Sequence, residues 1–161
     1  MNSLVKALLS SASASCLLIS ATILPVATQA ADQHSHGDEG HTVSVLSLDH
    51  GNKWQTDTPL RNSMQNINNE VMKSVAAYHD QSLTNTNAEI LSTYINEQVA
   101  YIVENCKLEP RADAVLHILI GDLLTATDHL ASDPLSDQGL PVIVKTLRTY
   151  PVYFDHQGWS D

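Results

Sequence analysis

From residue 58 onward the apolar positions recur every three or four residues. Leu60, Met64, Ile67, Val71, Val75 and Tyr78 form one stripe, and Leu91, Ile95, Val99, Ile102 and Cys106 form a second. Ala112, Leu116, Leu119, Leu123 and Leu130 make a third, and Val144, Leu147 and Tyr150 a shorter fourth. This spacing puts each set on one side of an α-helix, where a neighbouring helix can cover it. The punctuation between stripes agrees. Thr58-Pro59 reads as an N-cap followed by proline in the first turn, where a missing N–H costs nothing. Asp80 to Thr84 interrupts the pattern, and Thr86-Asn87-Ala88-Glu89 reads as a capping box for the second helix. Pro110 and Leu140-Pro141 open the third and fourth, with Asp133-Pro134 and Gly139 between them, and Pro151 is expected to end the fourth. Four amphipathic helices joined by short turns predict an all-α, up-down-up-down four-helix bundle over residues 58–161. Its aromatic C-terminal tail, Tyr153 to Trp159, is expected to plug the core and leave Asp155 and His156 exposed; the alternative makes His156 a metal ligand or a residue that supports one.

The chain upstream is patterned differently. Val43 to Leu48 alternates apolar residues with serine, and Asp49-His50-Gly51-Asn52 is turn chemistry. Residues 43–57 are therefore expected to form a short strand or hairpin appended to the helices. Residues 31–42, ADQHSHGDEGHT, hold too little apolar surface to offset the entropy of ordering and read as a disordered His-rich, acidic tail. Residues 1–30 read as a signal peptide. Lys6 supplies the positive start, Leu17 to Leu24 an apolar run, and Thr28 and Ala30 the small residues that a signal peptidase inspects.

Composition narrows the function. The chain has 161 residues, 43% of them hydrophobic, and a formal net charge of −10. An acidic surface repels phosphate, so nucleic acid is not an expected partner. Of the two cysteines only Cys106 lies beyond the signal, so an exported chain would carry no internal disulfide. A bacterial periplasm is the expected location, with no membrane association after signal cleavage. No Gly-rich phosphate loop, HExxH, GxSxG or CxxCH motif is present, so no enzymatic activity is expected.

Two groups of residues suggest metal chemistry. His34, His36 and His41 crowd the tail beside Asp38 and Glu39, and imidazole with carboxylate suits copper, zinc or nickel. The second group follows from bundle geometry. Met64, Cys106 and His117 lie roughly 9, 4 and 10 Å from one end of an up-down bundle at 1.5 Å per residue. A thioether, a thiolate and an imidazole in one layer would favour Cu(I). Met64 and Cys106 sit on their stripes and His117 on the flank of its own. The expectation is a periplasmic copper-binding protein for metal handling or tolerance. The alternative is a metal-free adaptor that docks a protein partner at the bundle end near the aromatic tail.

One set of short runs resembles a known group. Leu48 to Trp54, Thr58-Pro59-Leu60-Arg61 with Met64, Asn105-Cys106-Lys107-Leu108, Ala112-Asp113, Leu116-His117 and the ending Tyr150 to His156 with Gly158-Trp159 carry it. Together they resemble small exported proteobacterial proteins, some labelled DnrO-like, over residues 46–159. The label implies a transcriptional regulator, whereas an exported acidic chain points away from DNA. The resemblance carries over no catalytic residue.

Overall fold

The computed structural model describes residues 45–159. They are mostly helical: α1 (Thr58–His79), α2 (Asn85–Asn105), α3 (Pro110–Ser132) and α4 (Leu140–Tyr153). Two short strands, β1 (Trp54–Gln55) and β2 (Phe154–Asp155), flank them and pair in parallel, with Trp54 opposite Phe154 and Gln55 opposite Asp155. Each helix packs against its sequence neighbours, and α1 also packs against α4, so the contacts close a ring around one apolar core. The predicted signal peptide and His-rich tail, residues 1–42, lie outside the described residues.

The helices form where the stripes put them, because most of each stripe is buried. Leu60, Met64, Ile67 and Val71 of α1, Leu91, Ile95, Val99 and Ile102 of α2, and Leu116, Leu119, Leu123 and Leu130 of α3 are all buried. α3 is long and apolar enough to cross a membrane by length and composition, but these four leucines face the core of the protein. The α4 stripe keeps Leu147 and Tyr150 and differs only in its first member. Ile143, Leu147 and Tyr150 are buried, whereas Val144 is only partly so. With 3.6 residues per turn, either position four before Leu147 or three before it can face inward, and the choice is made by the opposing surface.

The caps differ from the sequence reading in two places. Asp57, not Thr58, caps α1: its Oδ1 accepts the Leu60 N–H at 2.9 Å. Thr84, not Thr86, caps α2, its hydroxyl accepting the Asn87 N–H at 3.2 Å. In both cases the chosen residue sits three before an available N–H, which is the geometry that satisfies an orphan donor. Nor does Pro151 end α4, which runs two residues further to Tyr153. In the last turn proline removes only one hydrogen bond, and the burial of Tyr150 and Phe154 holds the backbone helical around it.

The segment ahead of α1 is also different. Residues 45–48 form no strand. Asp49 to Asn52 is a tight turn in which the two residues exchange both backbone hydrogen bonds, at 2.9 and 2.8 Å, with His50 and Gly51 at positive φ. The extended segment lies beyond it, at β1, and it is not an appendage. It joins β2 across the sequence, its Trp54 is buried, and the indole Nε1 donates to Ser47 O at 2.7 Å. Thr56 Oγ1 adds a bond to Asp155 O at 2.7 Å. At the connection of α3 to α4, Gly139 runs against α3, where a Cβ would meet Leu130 Cα at 3.0 Å.

Candidate functional site at the Cys106 pole

α2 ends at Asn105 and is capped by Cys106, whose backbone is extended and whose N–H still reaches Ile102 O at 2.9 Å. The next N–H, from Lys107, donates to Asp57 Oδ2 at 2.7 Å. One carboxylate therefore serves two elements, capping α1 with one oxygen and holding the exit of α2 with the other. Glu109 then caps α3, Pro110 opens it, and Asp113 lies in its first turn, where a carboxylate suits the positive helix end. Four residues on, one helical turn away, is His117.

Beside this junction lies an opening of about 450 Å³ whose lining includes Cys106, Lys107, Leu108, Asp113 and His117. His117 Nδ1 lies 2.9 Å from Asp113 O and 3.4 Å from Asp113 Oδ2. Both partners are acceptors only, so Nδ1 carries the proton and, in the neutral ring, Nε2 keeps its lone pair. The imidazole is more than half exposed, at 57% of its side-chain surface. Cys106 is half-buried, and its thiol titration is pushed up to about 12. Burial is the main cause, followed by the charge and hydrogen bond of Asp57 and the charge of Asp113. The thiol therefore stays protonated at neutral pH, and is neither a ready nucleophile nor a redox-active thiolate.

The structure brings together two of the three ligands expected in the bundle. Cys106 and His117 share the opening, whereas Met64 is fully buried in the core and does not line it. Met64 has no exposed surface, whereas the opening lies where the half-buried Cys106 and the exposed His117 reach solvent. Among the described residues, no group of three or more His, Cys, Asp or Glu side chains is gathered to hold a metal ion. His34, His36 and His41 lie outside the described residues.

Sequence reasoning missed Asp57 and Asp113. Both carried a signal: Asp57 stands three before Leu60 with proline between them, and Asp113 stands four before His117. It also missed Arg111, whose guanidinium lies over the Trp54 ring at 5.4 Å from its centroid. The aromatic tail does cover the core. Phe154 stacks on Tyr150 at 5.2 Å, both fully buried, and Trp159 packs on Tyr150 at 5.0 Å. His156, however, is turned in rather than exposed, with Nδ1 3.1 Å from the Tyr150 hydroxyl.

The chain matches no protein-family profile, no curated protein and no solved structure.

Proposed function

We propose that this chain is an exported, non-enzymatic protein that binds a transition metal, copper(I) first, for metal handling or tolerance. One observation carries the reading. His117 donates Nδ1–H to the Asp113 carbonyl beside the Asp113 carboxylate and leaves Nε2 free at the opening that Cys106 also lines. Metal-binding histidines use this arrangement, because the second hydrogen bond fixes the tautomer and raises the basicity of the ligating nitrogen. A soft ion suits a thiolate–imidazole pair, and copper(I) accepts low coordination numbers. Metal must displace the Cys106 proton, and Asp57 and Asp113 supply negative charge that a bound cation would neutralise. Met64 is not a ligand in this reading.

The same proposal takes the helices as an up-down-up-down bundle. Asp57 ties the start of α1 to the exit of α2, and the Tyr78 hydroxyl at the far end of α1 reaches Leu135 O and Ser136 O at 3.4 and 3.5 Å, in the α3–α4 connection. Export to the periplasm and membership of the DnrO-like group rest on the sequence runs given above. His34, His36 and His41 would form a separate, weaker copper, zinc or nickel site.

The test is elemental analysis and an optical spectrum of untagged protein recovered from periplasm, followed by Cu(I) titration under reducing conditions. Copper should raise the melting temperature, since it binds only the folded state. Cys106→Ser should remove most of that gain, and His117→Ala should weaken it while leaving the apo-protein folded. Copper-free protein that gains no stability from Cu(I) would sink the reading and leave a metal-free module that docks a protein partner at this pole.

A further inference from the structure

Beyond β2, the C-terminal strap, His156 to Trp159, is held by a small set of contacts centred on His156 and Tyr150. Tyr150 is fully buried, so its hydroxyl proton needs an acceptor, and its hydrogen-bond partner among the described residues is His156 Nδ1 at 3.1 Å. If Nδ1 carried a proton, that acceptor would be lost. The satisfied arrangement is therefore a neutral imidazole protonated on Nε2, with the tyrosine donating. The His156 ring is also set edge-on against Tyr150, at 5.7 Å between centroids, and against Trp159 at 5.1 Å. His156 O accepts the Trp159 N–H at 3.2 Å. One imidazole thus links α4 to the last turn of the strap.

We propose that the strap is an acid-released latch, in which protonation of His156 removes the acceptor for the buried Tyr150 hydroxyl, places a second cation near Arg61, and frees residues 156–159 from the pole. The charged and titratable groups around this point are few. Arg61 on α1 acts on both His156 and Tyr150, and Asp57 and Cys106 act on Tyr150 from the α1 and α2 side. Burial is the first cause that lowers the His156 titration below its ordinary value of 6.5, and Arg61 is the second. Burial, more than any charge, also keeps the Tyr150 phenol protonated far above neutral pH, so tyrosine remains the donor throughout.

The sign follows from proton counting. The open strap has an ordinary histidine that binds a proton near pH 6.5, whereas the closed strap binds it only at lower pH. The latch is therefore fully closed above about pH 6.5 and loosens as pH falls toward the lowered closed-state value. Within that window the open-to-closed ratio rises by up to about tenfold per pH unit, the limit for a single proton.

The test is amide hydrogen exchange of the whole chain at pH 7.5 and 5.0, normalised to intrinsic exchange rates, with NMR titration of His156. Amides of residues 156–159 should lose protection at pH 5.0 while those of β2 and the middle of α3 keep theirs. His156→Gln offers an acceptor that does not titrate and should make strap protection independent of pH. Strap protection that is unchanged in the wild type, or that changes equally in His156→Gln, overturns the proposal. So does a His156 titration in the folded protein at or above 6.5, which can be read without any variant.

Discussion

Replacing Asp57 by alanine should damage the protein in two separable ways. The carboxylate caps α1 through the Leu60 N–H at 2.9 Å and accepts the Lys107 N–H at 2.7 Å. Loss of an N-cap costs about 1 kcal/mol. Loss of the second bond, at a partly exposed site where water can replace the acceptor, costs about 1 kcal/mol more. The expected destabilisation is about 2 kcal/mol, or a fall in melting temperature on the order of 8 °C for a domain of this size. Asp57→Asn keeps an oxygen for the cap and removes the charge, so it should lose about half as much. The thiol supplies the second readout. Asp57 holds Cys106 protonated by its charge and hydrogen bond, after burial, so both variants should titrate the thiol below the wild-type value of about 12. Urea unfolding measures the first effect, and thiol alkylation rate against pH measures the second. Equal stability of alanine and asparagine variants would refute the two-part role. Alkylation profiles identical to wild type would refute the coupling to Cys106.

Other outcomes follow from single sites. Gln81 holds φ at +55° just after α1, where glycine is free of the Cβ clash, so Gln81→Gly should stabilise the fold by roughly 0.5–1 kcal/mol in urea unfolding. Gly139→Ala should destabilise it by roughly 1–3 kcal/mol, because the new methyl meets Leu130 main-chain atoms at 3.0–3.1 Å and backbone cannot swing aside as a side chain does. Cu(I) affinity, measured by competition with a chelator, should rise about tenfold per pH unit from pH 7 to 9, because a thiol titrating near 12 releases one proton for each ion bound. A flat profile would show that Cys106 is not a ligand.

Local chemistry was legible in the sequence and distant pairing was not. The four stripes announce the helices because burial on one face imposes its period on the residues themselves. The opening of α3 at Pro110 is equally plain, since proline has few other places in a helix. The β1–β2 pair left no such trace. Two residues are too few to show alternation, and the partners Trp54 and Phe154 are a hundred positions apart. The inward turn of His156 leaves no trace in the sequence for a similar reason: only the turn of the strap brings it back under the Tyr150 hydroxyl. Met64 does not line the opening that Cys106 and His117 share, because depth along a helix can be counted from sequence, whereas which side chains open onto a shared cavity depends on how neighbouring helices rotate against each other. Asp113 and His117 were the readable part of that site, one turn apart on a single helix.

The parallel pairing of β1 with β2 also fixes how the domain would respond to force. In a parallel pair, tension applied from the N-terminal side of Trp54 and the C-terminal side of Asp155 pulls the two strands along each other. The inter-strand bonds and the Thr56–Asp155 bond are then strained together in shear instead of being unzipped one at a time. An antiparallel arrangement of the same two residues would peel. The clamp is only two residues long, so its mechanical strength rests on the buried rings of Trp54 and Phe154, which must slide into water before the helices behind them feel the pull.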